Sequence, residues 1–216
     1  ARFEGDDNGS RFTVRSSEDS AEVSLRVPGR HNASNALAAI AAVSAFGVGV
    51  DEAAAALSQF AGLKRRLETV GSAAGVTVID DFAHNPDKIA ATLDTLAAAP
   101  GRLLVMFQPH GFGPLAKMGE ELAETFAKGL RAGDRLYLPD PVYQGGTVDR
   151  SRGSDWLAGE IVARGCAARY IAARPDIARQ LLDDAANGDR ILIMGARDDT
   201  LSEFAAELVG NLAARR

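Results

Sequence analysis

Two short stretches near the start of the chain, "RFTVR" (11–15) and "AEVSLRV" (21–27), alternate apolar with polar residues. That period of two predicts half-buried strands around a polar turn. The opening "ARFEGDDNGSRFTV" reads as a hairpin already under way. "PGRHNASNALAAIAAVSAFG" then predicts an alanine-rich helix over about 32–46, and "VDEAAAALSQF" a second one with Asp51 as its N-cap. No alternating strand–helix unit appears before Gly62. Beyond it the pattern changes: "RLETVG", "GVTVID", "RLLVMF", "RLYLP", "ARYI" and "DRILIMG" read as strands. After the first two, helices alternate with strands: one from Pro86 to about Ala98, "LAKMGEELAETFAKGLRAG", "SDWLAGEIVARG", "PDIARQLLDDAANG" and "DDTLSEFAAELVGNLAARR". In the last, Leu201, Phe204, Ala205, Leu208, Val209 and Leu212 share one face at helical spacing.

Strands alternating with helices predict an α/β fold with a doubly wound, mainly parallel sheet over 63–216, preceded by a small α+β portion over 1–62. Uninterrupted runs such as "LLVMF" and "ILIMG" suit strands covered on both faces. In such sheets ligands bind at the carboxyl ends of the strands, so chemistry is sought in the strand-to-helix turns.

Composition adds limits. The 216 residues suffice for one large domain, or one and part of another. With 46% hydrophobic and 25% charged residues and a net charge of -5, the chain has the make-up of a soluble globular protein. Nothing argues for nucleic acid or a membrane as partner. The one cysteine, Cys166, fits a reducing compartment and reads as a small buried apolar residue rather than a nucleophile. No charged-then-apolar leader opens the chain, and Ala1 stands where an initiator Met would, so a cytoplasmic fragment of something longer is expected.

The densest candidate chemistry is "VIDDFAHNPDKIAATL" (78–93). Asp80 and Asp81 end a strand; Asn85 stands at an N-cap and Pro86 at the first helical position, where its missing amide proton costs nothing. The helix start can hold a phosphate, a carboxylate there can take ribose hydroxyls, and His84 can donate to phosphate oxygens. A plain cap beside a solvated acid pair accounts for the same residues. In "GRHNASNALAA", Asn32 and Asn35 lie three apart on one helix face, and carboxamides can pair with the N6/N7 edge of adenine. Alternatively, Asn32 caps the helix and Asn35 is a buried amide. "GLKRRLE" places Lys64, Arg65 and Arg66 at the boundary, where a basic cluster can clamp phosphates or form a solvated linker. "FQPHGFGP" (107–114) ends a strand with Gln108 and His110, and "MGARDD" (194–199) ends another, with Asp198 or Asp199 capping the next helix. No Ser-His-Asp set and no zinc spacing can be assigned.

Together, "PGRHNASNALAA", "GLKRRLE", "VIDDFAHNPDKI" and "ILIMGARDD" resemble, in order and spacing, the Mur ligases, ATP-dependent amide-bond ligases of peptidoglycan precursor synthesis. "FQPH" is most similar to the branch that ligates alanine to UDP-N-acetylmuramate, or to relatives that ligate a murein tripeptide. The resemblance implies that 1–62 is the tail of a central ATP-binding domain and 63–216 the C-terminal domain. It implies adenine-side contacts at Asn32 and Asn35 and a phosphate-side contact at Arg66, with Arg65 the next candidate. It further implies a ribose contact at Asp81, with His84 and Asn85 facing phosphate. Arg65, His110 and Arg197 fall on the substrate side. The implied reaction uses ATP and Mg2+ and passes through an acyl phosphate, joining a UDP-N-acetylmuramate-type sugar to an amino acid or peptide.

Several family features are missing from this sequence: the glycine-rich phosphate-binding loop, the acidic metal ligand and histidine of the central domain, and the UDP-binding domain. No metal ligand is assigned here, and Gly111-Phe112 follows His110 where the alanine branch carries an arginine. The chain is therefore expected to need the rest of its own polypeptide and to be inactive alone. Folylpolyglutamate or cyanophycin synthesis and a non-catalytic nucleotide-binding module are the alternatives.

Overall fold

The computed structural model describes residues 3–6, 9–17, 19–143, 145 and 147–215. The chain divides into two compact units, one of residues 1–63 with 94–99 and one of 64–93 with 100–216.

In the first unit, β1 (Phe3–Asp6), β2 (Gly9–Arg15) and β3 (Ser20–Leu25) form an antiparallel meander. Its register sets Phe3 opposite Phe12, and Phe12 opposite Val23. The inward residues Phe12, Val23 and Leu25 close a core with Ala33, Ala36 and Ile40 of α1 (Arg30–Ser44) and Val50, Ala53 and Ala54 of α2 (Val50–Ser58). Two expectations need correction. The first helix begins at Arg30 rather than 32, because Gly29, at φ 96, turns the chain and takes the N-cap position. Asp51 is not the N-cap of α2. Gly49 is, and Asp51 lies in the first turn, where its charge complements the helix dipole without a capping hydrogen bond.

The second unit is a six-stranded sheet in the order β4 (Glu68–Ala73), β5 (Val76–Asp81), β9 (Arg190–Gly195), β6 (Leu103–Gln108), β7 (Arg135–Leu138), β8 (Ala168–Tyr170). All neighbours are parallel except β4, an edge strand paired antiparallel with β5. Ala74 (φ 51) and Gly75 (φ 74) make the two-residue turn, whose paired positive φ angles match the right-handed strand twist. Both β6 and β9 are buried along their whole length, as doubly covered strands must be. Val76, Val78, Leu104, Met106, Ile191 and Ile193 pack under α6 (Arg174–Asp184) and α7 (Thr200–Ala214). The alternate residues face the other side, where Phe107 meets Phe126 of α4 (Phe112–Gly129) with ring centroids 5.3 Å apart. α5 (Ser154–Ala163) completes the helices of this unit, to which α3 (Pro86–Ala97) belongs as far as Leu93.

Of the face foreseen on α7, five residues are buried and Val209 is partly buried against the same core. α4 starts three residues before the expected Leu115, with Pro114 in its first turn, and stops at Gly129. Cys166, expected to be buried, is half-buried, its thiol 3.5 Å from the Ala127 carbonyl. No described helix is long and apolar enough to cross a membrane.

Because β9 returns between β5 and β6, the carboxyl ends of those three strands lie side by side, at the point where strand order reverses.

Candidate functional site

At the end of β5, Asp81 folds its side chain back into its own turn. Its Oδ1 accepts the Ala83 N–H at 2.6 Å and the Thr92 hydroxyl at 3.4 Å; its Oδ2 accepts the Leu67 N–H at 2.8 Å. A carboxylate offers about four acceptor positions, so one on Oδ2 is not used by these bonds. Burial pushes the Asp81 carboxyl up; the Leu67 and Ala83 amides, the Arg66 charge and Thr92 oppose that rise. Asp80 is fully buried as well, so the picture of a solvated acid pair is replaced by two anchored carboxylates. Asn85 caps α3 through a 3.0 Å bond from the Lys88 N–H, and Pro86 takes the first helical position.

The basic stretch divides by direction. Lys64 and Arg66 are exposed, whereas Arg65 is buried. The Arg65 Nη2 donates to the Gly195 carbonyl at 2.9 Å, and its Nε lies 3.3 Å from an Asp80 oxygen. Ser202 donates to the same carboxylate at 2.7 Å. The Arg66 guanidinium sits 5.3 Å from the centre of the Phe82 ring. Arg65, expected on the substrate side, is thus buried and tied to Asp80 of β5 and Gly195 of β9, and Arg66 is exposed.

His84 brings its Nδ1 within 2.8 Å of the Phe82 carbonyl. A carbonyl can only accept, so Nδ1 carries the proton and Nε2 is left to face other partners. The His84 ring stands edge-on to His110, with centroids 5.4 Å apart. Burial pushes the His110 pKa down, and the His84 and Arg197 charges push it further. A cavity of about 220 Å³ opens beside it, lined among others by His110, Phe112, Val142, Tyr143 and Arg197. An NMR titration of the chain should place His110 below the usual 6.5 or so. Arg197→Ala and His84→Ala should each raise it without restoring that value, because burial is the largest cause. An unmoved His110 in both variants would contradict the grouping. By linkage, the His110 contribution to stability is complete above about 6.5 and is lost as pH falls through its lowered value.

A second network was not foreseen. Arg174 donates to Gln108 Oε1 at 2.8 Å and to Thr200 Oγ1 at 2.8 Å, and is paired with Asp198. Buried Gln108 in turn donates to the Asp140 carbonyl at 2.8 Å, which ties the ends of β6, β7 and β9 together. Of the two candidate caps for α7, Asp198 accepts the Thr200 N–H at 3.1 Å, while Asp199 holds the N-cap position without a side-chain bond. Burial pushes Asp198 up, but the bonds from Thr200 and Arg174 outweigh it and hold its pKa below the usual value.

In the first unit, Asn32 lies in the first turn of α1. It is half-buried and its Nδ2 donates to the Pro28 carbonyl at 2.7 Å, which is not a capping bond. Asn35 is exposed one turn further on, not buried. Among the described residues, no group of three or more His, Cys, Asp or Glu could hold a metal ion.

Residues 65–197 match the family described as Mur ligase, glutamate ligase domain, and residues 1–43 match the Mur ligase middle domain. The UDP-N-acetylmuramate–L-alanine ligase of Lachnospira eligens is 40% identical over 177 residues, which is 82% of this chain and 38% of that protein. A UDP-N-acetylmuramate-alanine ligase from Thermotoga maritima superposes with a TM-score of 0.78 at 24% identity, over 100% of this chain and 45% of that one. The folylpolyglutamate synthase of Mycobacterium tuberculosis, solved with ADP and AMPPCP, gives 0.70 at 23% identity, over 100% of this chain and 48% of its own. These two likenesses show the fold. The chain spans under half the length of each of the three.

Proposed function

The chain belongs to the Mur ligase family, and from that premise we propose that it is the C-terminal portion of an ATP-dependent ligase of peptidoglycan precursors. In this reading residues 1–62 are the tail of the central ATP-binding domain and 63–216 the C-terminal domain. The enzyme is cytoplasmic and joins an amino acid or peptide to a UDP-N-acetylmuramate-type nucleotide sugar. The observation that carries the reading is the turn at the end of β5. There an anchored Asp81, an outward Arg66 and His84, and the capped start of α3 gather at the sheet edge where α/β folds bind ligands.

Roles follow from what each group has left to offer. The remaining Oδ2 position of Asp81 accepts a ribose hydroxyl. Arg66, His84 and Asn85 at the start of α3 face phosphate oxygens, and Asn32 and Asn35 take the adenine side. His110 and Arg197, at the 220 Å³ cavity, lie on the amine side. A neutral His110 repels an incoming ammonium less than a charged one and can accept its proton. In the reaction, a carboxylate oxygen attacks the γ-phosphorus of ATP and ADP leaves. The amine nitrogen then attacks the acyl carbon, gives up a proton and expels phosphate.

Among the described residues no group fits a Mg2+ site: Asp80 is buried against Arg65 and Ser202, and Asp81 keeps one acceptor position, which the ribose takes. Metal ligands are assigned to the remainder of the full-length protein, and the chain is taken to be inactive alone.

The test is ADP release by the full-length protein with ATP, Mg2+, UDP-N-acetylmuramate and either L-alanine or a murein tripeptide. Turnover that depends on the nucleotide sugar is the expected result, with none from the isolated chain. Turnover only with folate and glutamate, or amide formation by the isolated chain, overturns the proposal.

A further inference from the structure

Arg65 occupies a conformation that packing alone does not call for. Its φ is 56° and that of Leu67 is 50°, both in the left-handed region, which strains a non-glycine residue. The two reversals bracket Arg66 and turn neighbouring side chains opposite ways. Arg65 and Leu67 point inward, 8% and 7% exposed, and Arg66 points out. Every polar part of Arg65 except one is committed. Its N–H donates to Glu68 at 2.8 Å and its carbonyl accepts the Phe82 N–H at 2.8 Å. Its guanidinium bridges Asp80 on β5 to the Gly195 carbonyl on β9, and lies 5.1 Å from the Phe82 ring centre. The exception is Nη1, which is buried without a hydrogen bond; an oxygen of exposed Asp199 stands 3.7 Å away.

A buried ion pair with an unsatisfied donor is poor value as a stabiliser, since apolar residues of similar volume often do as well. What it supplies is direction, because a planar guanidinium fixes two strand ends at set angles. We propose that Arg65, paired with Asp80, is a positioning residue: it holds the 65–67 reversal and Phe82 on the ends of β5 and β9, so that Arg66 is presented outward at the nucleotide side. This rests on the assignment of Arg66 to ATP. Phe82 carries both guanidiniums, so a loosened Arg65 moves the surface on which Arg66 lies.

The single variant Arg65→Met leaves Asp80 buried without its cation, so the decisive protein is the full-length ligase carrying Arg65→Met with Asp80→Leu, which removes both charges. It should melt cooperatively like the parent. Its KM for ATP should rise about tenfold, while kcat and the KM for the amine stay within about twofold. Arg65→Lys alone should recover part of the loss, because an ammonium reaches one strand end but cannot bridge two. A folded double variant with an unchanged KM for ATP reduces Arg65 to packing and overturns the inference. If Arg66→Ala also leaves that KM unchanged, the nucleotide-side assignment itself fails. If only Arg66→Ala raises it, that assignment stands and the positioning role falls. A rise in the KM for the amine equal to that for ATP would likewise reject the role as a general loosening of the unit.

Discussion

Replacing Asp81 with alanine should cost the isolated chain about 3 kcal/mol of stability, more than a surface carboxylate could. The side chain is the acceptor for two backbone amides, Leu67 and Ala83, whose residues are 7% and 1% exposed. Without it, each amide is left buried with no partner, at about 1–3 kcal/mol. Relief of burying the carboxylate itself offsets part of that loss. Asp81→Asn should fall between: its carbonyl can serve one amide, but its NH2 then confronts the other donor. Urea unfolding measures both, with an unchanged m-value as the sign that only stability moved. The pH dependence has a definite sign. Because the folded chain holds the Asp81 proton more tightly than the unfolded chain, its contribution is greatest below the ordinary carboxylate pKa and is lost as pH rises through the raised one. Stability of the parent relative to Asp81→Asn should therefore decline from acid towards neutral pH and then level off. A difference of under about 1 kcal/mol between Asp81→Ala and the parent would mean that water replaces the carboxylate, and the anchored turn would have to be given up.

This residue also shows where sequence reading reaches and where it stops. That Asp81 ends a strand and that Asn85 and Pro86 begin a helix follows from near-neighbour chemistry, and the bond from the Lys88 N–H to Asn85 spans only three residues. The same local logic found the strands, since a period of two or an unbroken apolar run needs no tertiary knowledge. It failed where two local signals compete. Asp51 is a better capping type than Gly49, but Val50 is drawn into the core and starts the helix two residues too early for the acid to cap it. It also failed for contacts made at a distance. Arg174 reaches Gln108 across 66 residues, and Arg65 reaches Gly195 across 130. Nothing in "RPDIARQ" or "GLKRRLE" says which arginine turns inward, because that depends on a carbonyl at the end of another strand.

Arg66→Ala in the full-length ligase should lower kcat/KM for ATP by about 10- to 100-fold, the equivalent of one charge-assisted contact of about 1.5–3 kcal/mol. Three cations stand in a row, and charge alone does not choose among them. Orientation does: Arg65 is spent on Asp80 and Gly195, Lys64 is exposed, and Arg66 is laid on the Phe82 ring with its guanidinium turned out. A stacked guanidinium loses less freedom on meeting a phosphate than a lysine swinging in water, and its fork can take two oxygens at once. Arg66→Lys should therefore recover only part of the loss, since an ammonium neither stacks as a plane nor binds in a fork. Lys64→Ala should cost less than about threefold, and that cost should vanish as salt is raised, because an exposed charge acts only through a screened field. The Arg66 loss should persist at the same salt. Equal losses from Lys64 and Arg66, both erased by salt, would show a diffuse basic patch and would remove the specific phosphate contact.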